Sequence, residues 1–83
     1  MKLVIEAAAL KALVRMPQHD AAAMRDKLKI FADAPFAPHS WAKAFAASSG
    51  RIRHGDWRAL YEIDGGKVTV TIVKIGNRKE VYR

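Results

Sequence analysis

The residues best equipped for chemistry in this chain are its arginines. Five of the seven (Arg51, Arg53, Arg58, Arg78 and Arg83) fall in the last 33 of 83 residues, while the lysines are spread along the chain. Arginine carries a fixed charge on a planar fork of donors that matches phosphate and carboxylate oxygens two at a time. Recognition of an anion is therefore to be sought in the C-terminal part. Arg51 and Arg53 are two residues apart, which on a strand puts both on one face. The three histidines show no metal-ligand spacing with any acidic residue, and cysteine is absent, so neither a metal nor another cofactor is expected.

The same bias holds for the whole chain. Fifteen Lys and Arg against eight Asp and Glu give a net charge of +7. Such a field favours polyanions: nucleic acid, an acidic protein segment or an anionic membrane surface. The plainer reading is a solvated basic surface. The length makes one domain, 1–83, with a thin core, and fifteen of its apolar residues are alanines that bury little each. With no disulfide to staple it, an isolated monomer should be marginal, and a partner covering apolar surface fits its size. No apolar run approaches the length of a membrane span. The N-terminal apolar stretch is interrupted by Glu6, Lys11 and Arg15 and does not read as a signal peptide. The expectation is a cytoplasmic globular domain with no membrane partner.

The elements that must position the arginines follow from periodicity. Lys2 to Glu6 is a short strand. Ala7 to Met16 is a helix with Ala7, Leu10, Leu13 and Val14 as its apolar stripe, stopped by Pro17. Asp20 is an N-cap candidate for a second helix, Ala21 to about Ala32, striped by Met24, Leu28 and Phe31. Between the prolines and Ser48-Ser49-Gly50, Trp41 to Ala47 is either one helical turn or a loop. From Gly50 the period becomes 2. Arg51-Ile52-Arg53 alternates, and Trp57 to Ile63 puts Trp57, Ala59, Tyr61 and Ile63 on one face. Asp64-Gly65-Gly66 is a hairpin turn with glycines able to take positive φ. Val68 to Ile75 is apolar on both faces toward its end, as a central strand would be. Gly76-Asn77 turns the chain again, into a last strand from Glu80 to Arg83. The order read is β-α-α-β-β-β. It is an α+β domain with a helical hairpin on one face of a mostly antiparallel, twisted sheet.

Three runs now carry a resemblance. Arg51-Ile52-Arg53, then Gly55-Asp56-Trp57-Arg58-Ala59-Leu60-Tyr61, then Val73-Lys74-Ile75-Gly76-Asn77-Arg78-Lys79-Glu80-Val81-Tyr82-Arg83 resemble the RelE/ParE superfamily of toxins from bacterial type II toxin–antitoxin pairs. The pattern is a basic strand, a G-x-(aromatic)-R-x-x-Y strand and a terminal G-x-R-x-x-V-Y run. Arg78 with Tyr82 looks more like the RelE branch. That resemblance implies a microbial-ribonuclease-like fold and a metal-independent endoribonuclease, an mRNA interferase that enters the ribosomal A site and cleaves the exposed codon. It also implies a cognate acidic antitoxin, with operator DNA met only through the toxin–antitoxin complex. Many members carry a further helix after the terminal tyrosine, so an antitoxin helix or strand is expected over the groove left open here.

Cleavage by the 2′-hydroxyl needs a proton acceptor, charge stabilisation of the phosphorane, and a proton for the leaving oxygen. Arg58 and Arg78 match the family's transition-state arginines, and Tyr82 matches the aromatic that stacks on or orients the base. Arg51 and Arg53 match a basic pair on the first strand of the hairpin sheet, and Lys74 and Lys79 of the terminal run join them as RNA- or phosphate-binding candidates. In the best-known pattern that pair is lysine. Arginine is a poor proton shuttle, so the general base is open. His54 ranks first because it titrates near neutrality, although alternation turns it away from the pair. Glu62, Glu80, Tyr82 and the ribosome itself are the other candidates. A ParE-like toxin that poisons DNA gyrase, or a catalytically degenerate member, would share the fold.

Overall fold

The computed structural model describes residues 1–82. Its elements run β1 (Lys2–Ile5), α1 (Ala7–Arg15), α2 (Gln18–Asp33), β2 (Ala42–Ala46), β3 (Ser49–His54), β4 (Trp57–Asp64) and β5 (Thr69–Asn77). The strands form one sheet in the order β1-β5-β4-β3-β2. β1 runs parallel to β5, and the other pairs are antiparallel. The α1–α2 hairpin covers one face, giving the α+β architecture expected from the sequence.

The core lies between that hairpin and the inner face of β3 to β5. Leu13, Met24, Leu28 and Phe31 from the helices meet Ile52, Ala59, Tyr61, Val70, Ile72 and Ile75 from the strands. Burying each large side chain contributes about 1.5–3 kcal/mol. In α2 the expected stripe of Met24, Leu28 and Phe31 is buried. In α1 only Leu13 of the expected stripe is. The helix turns Ala9, Leu13 and Met16 inward, leaving Leu10 and Val14 exposed. Alanine at position 9 lets the helix lie close to the sheet, which a search for large apolar residues overlooks. Asp20 is not the cap of α2 either. The helix enters directly after Pro17, whose carbonyl accepts from the Ala21 N–H at 2.9 Å, and the pyrrolidine ring already sets a helix-compatible φ.

The stretch read as a helical turn or loop contains an extra strand, β2, at the sheet edge. Its sequence, Ala-Lys-Ala-Phe-Ala, has little strand propensity, and pairing with β3 imposes the conformation. The preceding loop is packed through His39. Its ring donates to the Ala34 carbonyl at 2.8 Å and stacks on Trp41, with centroids 4.6 Å apart. Gly50 makes the β2 pairing possible. A Cβ there would overlap the Lys43 carbonyl oxygen and the Tyr61 hydroxyl. We expect Gly50→Ala to destabilise the domain by about 1–3 kcal/mol, read as a lower urea midpoint. An unchanged midpoint would mean that β2 and Tyr61 yield freely.

Two turn readings and one strand reading are corrected. Gly76 and Asn77, read as a turn, are the last residues of β5, paired with Arg58 and Trp57, and the chain turns only after them. The β4–β5 hairpin is closed by the Lys67 N–H donating to the Asp64 carboxylate at 3.1 Å. The left-handed residue in it is Val68 (φ 51°), not Gly65 or Gly66. At the other end, Glu80 to Tyr82 do not form a strand; Arg83 lies outside the described residues. The Asn77 carbonyl accepts from the N–H groups of Glu80 (2.8 Å) and Val81 (2.9 Å), and its side-chain oxygen accepts from Lys79 at 3.1 Å. Those donors are therefore committed to a turn and are not available to a ladder. The turn seats Val81, 1% exposed, against Gly76, where a Cβ would lie 3.7 Å from that of Val81.

Candidate functional site

Residues paired across a ladder share a face, so the registers locate the charges. Lys43 pairs with Arg51, Arg51 with Leu60, and Leu60 with Lys74. In the next row Arg53 pairs with Arg58, and Arg58 with Gly76. The intervening residues Ile52, Ala59 and Ile75 are buried under the helices. Lys43, Arg51, Arg53, Arg58 and Lys74 therefore share the opposite, helix-free face. Arg53 directly opposite Arg58 places like charges together, a destabilising arrangement that a bound anion would relieve.

Lys74 reaches this face through an irregularity. Leu60 pairs with Lys74 but Tyr61 pairs with Ile72, leaving Val73 as an extra residue in β5. The bulge reverses the alternation after Ile72. Both Ile72 and Ile75 can then point into the core while Lys74 points away. Lys43 was missed by sequence reasoning because it lies in the alanine-rich stretch whose strand character was not legible.

Arg58 and Arg78 converge on the β3–β4 turn. Arg58 Nη1 donates to the Gly55 carbonyl at 2.7 Å and to the Trp57 carbonyl at 3.0 Å. Gly55 takes φ 56°, a conformation that suits glycine. The Arg78 N–H donates to the Asp56 carbonyl at 2.7 Å, and its Nε lies 3.7 Å from the Asp56 carboxylate. The Arg78 side chain is 58% exposed, so this ion pair contributes little to stability and leaves the guanidinium accessible. Lys79, next to Arg78, is exposed in the terminal turn. Tyr82, 53% exposed, lies beyond Val81, and its ring meets Phe45 of β2 at a centroid distance of 6.3 Å. Glu62 shares the arginine face one row further along, paired with Ser49 and Thr71, and Glu80 is exposed in the terminal turn.

His54 is not brought to these groups. It faces α2, with Nε2 3.1 Å from the Asp20 carboxylate and Nδ1 3.3 Å from Lys27 Nζ. Lys27 Nζ also donates to the Arg53 carbonyl at 2.9 Å. Burial, and secondarily the Arg53 charge, hold the Lys27 ammonium below its ordinary range. A neutral His54 that accepts from Lys27 at Nδ1 and donates to Asp20 from Nε2 satisfies both contacts. His54 thus ties β3 to α2. On the same side, burial pushes the Tyr61 phenol up, which keeps that core group uncharged.

Comparison with curated proteins gives no sequence match. The fold is shared with solved toxins. With the toxin–antitoxin complex RelBE2 of Mycobacterium tuberculosis the TM-score is 0.75 at 23% identity, covering 93% of this chain and 96% of that one. For the isolated E. coli RelE toxin it is 0.78 at 19% identity, covering 92% and 82%. For the archaeal RelE–RelB complex of Pyrococcus horikoshii OT3 it is 0.76 at 19% identity, covering 96% and 97%. The family model for the ParE toxin of type II toxin–antitoxin systems matches residues 3–82. With that match spanning nearly the whole chain, on a fold held in common with RelE toxins, the protein belongs to the ParE toxin family, within the RelE/ParE superfamily.

Proposed function

We propose that the chain is a ribosome-dependent mRNA endoribonuclease of the RelE type, held inactive in the cytoplasm by a cognate acidic antitoxin. The observation that carries this reading is the placement of Lys43, Arg51, Arg53, Arg58 and Lys74 on one face, with Arg78 at its rim. In the reaction the 2′-hydroxyl oxygen bonds to the adjacent phosphorus and the bond to the 5′-oxygen breaks. A cyclic phosphate and a free 5′-hydroxyl result. Arg58 and Arg78, both held at the β3–β4 turn, stabilise the phosphorane charge. Arg51 and Arg53 hold flanking phosphates, with Lys74 and Lys79 adding to the field. Tyr82 orients a base. His54 faces the other way, so the proton for the leaving 5′-oxygen falls to Lys43, opposite Arg51, since an ammonium can give up a proton where a guanidinium does not. The 2′-hydroxyl proton passes to a group of the ribosome. Antitoxin binding is supported by the complexes that structural neighbours form, and operator DNA is reached only through that complex.

A second reading, a gyrase-poisoning toxin without RNA cleavage, is favoured by the family model being that of ParE. Cleavage mapping of messages in a translating extract, beside a gyrase supercoiling assay, separates the two. Codon-phased cuts with unaffected supercoiling are expected, and the reverse result would select the second reading. Neither effect would mark a degenerate member.

Salt dependence tests the binding face. Each lysine or arginine that neutralises a phosphate releases counterions. Arg53→Ala should therefore weaken binding to programmed ribosomes and flatten the log–log salt slope by about one. Unchanged slopes in both Arg51→Ala and Arg53→Ala would remove β3 from the interface.

A further inference from the structure

Phe45 is the extra residue of a β-bulge. Ala44 pairs with Gly50 and Ala46 pairs with Ser49, so Phe45 has no ladder partner. Bulges re-aim side chains. This one presents a ring that is 54% exposed in a strand whose other residues are three alanines and Lys43. Phe45 takes no part in the buried core. Its ring instead meets the equally exposed Tyr82 edge-on, at 6.3 Å and 64°. Val81, one residue before Tyr82, is seated on Gly76 of β5. The terminal segment thus bridges from β5 to the far edge strand, bringing two exposed aromatics together beside the Lys43–Arg51 row.

We infer that Phe45 and Tyr82 form one aromatic platform for an unpaired nucleobase. The inference rests on the RNA-cleavage reading above and adds Phe45 to it. An edge-to-face pair at this distance has no slot between the rings for a base. Each ring instead fixes the tilt of the other and leaves an outer face for stacking. Lys43 and Arg51, paired on the adjacent strands, supply cations for the phosphates flanking that base. Stacking on aromatic faces tolerates any base, so Phe45 contributes affinity and alignment more than codon choice. Phe45 is in this sense a binding and positioning residue, with no part in proton transfer.

The test uses a short unstructured RNA carrying one fluorescent adenine analogue, titrated at low salt into the full chain. Wild-type protein should quench the analogue on binding. Phe45→Ala and Phe45→Leu should each lose the quenching and bind roughly tenfold more weakly, with an unchanged salt slope, whereas Phe45→Trp should restore both. Leucine keeps the apolar volume, so its failure separates stacking from packing. Combining Phe45→Ala with Tyr82→Ala should add little to either single change if the rings act as a unit. Wild-type quenching and affinity in Phe45→Ala would overturn the platform while leaving the RNA reading intact. The same holds if that variant binds RNA normally but no longer binds the acidic antitoxin, since Phe45 would then be a protein contact. A wild-type chain that binds the RNA neither alone nor on programmed ribosomes would overturn the RNA reading and the platform with it.

Discussion

Arg78→Ala should leave the protein folded and able to bind its antitoxin, yet abolish growth inhibition and message cleavage. The structural effect is small because the backbone contact survives: the 2.7 Å bond to the Asp56 carbonyl comes from the Arg78 N–H, which alanine retains. What is lost is an exposed guanidinium with a 3.7 Å ion pair, and surface changes of this kind usually shift stability by less than about 0.5 kcal/mol. The catalytic effect is large under the proposed mechanism. Removing a preorganised donor at a phosphorane costs about 3–4 kcal/mol of transition-state stabilisation, or roughly 10² to 10³ in rate. Arg78→Lys should recover part of the activity, since a point charge cannot reproduce the fork. Cleavage rates on programmed ribosomes, with circular dichroism and antitoxin pull-down as controls, decide the matter. A folded Arg78→Ala that cleaves at the wild-type rate would end this assignment of Arg78, whereas a variant that stays fully toxic while neither it nor the wild type cleaves message would favour the gyrase reading.

The second large effect is structural. Phe31 is 2% exposed and sits where α2 meets the sheet, its ring 4.4 Å from Tyr61 and 5.8 Å from His39. Truncating a buried phenylalanine costs about 3–5 kcal/mol. Against the roughly 5–15 kcal/mol that holds a typical domain together, that is a large share, and in a domain this small the reserve lies toward the lower end. Phe31→Ala should therefore be largely unfolded at moderate urea. It should also disturb the His39–Trp41 stack that leads into β2, and with it Lys43 and Phe45. Excess antitoxin, if it binds only the folded chain, should restore folding by mass action. A urea midpoint within error of wild type would show that the helix–sheet junction repacks around the void.

Local pattern determined much of this protein. The change of period at Gly50 announced helices before strands. The stripe of Met24, Leu28 and Phe31 marked the buried face of α2, and the alternation in β4 correctly divided core from surface. Arginine clustering pointed to the C-terminal half, and the spacing of Arg51 and Arg53 put both on one face. These features are legible because each depends only on residues a few positions apart.

What tertiary structure decided depends on pairing between distant segments. Β-strand character in Ala42–Ala46 is imposed by Gly50 and its neighbours in β3, since an alanine-rich pentapeptide has no strand preference of its own. Lys43 and Phe45 consequently became visible as candidates for the proposed site only once that pairing was known. The bulge at Val73 sends Lys74 to the arginine face, whereas uninterrupted alternation from Ile72 would have turned it toward the helices. Alternation in β3 turns His54 away from the arginines, but only the docking of α2 on β3 brings Asp20 and Lys27 to it. The terminal run ends in a turn because Asn77 captures the donors a strand would need, and that turn carries Tyr82 across the sheet to Phe45. In each case the deciding partner lies far along the chain or in a backbone hydrogen bond that no periodicity encodes.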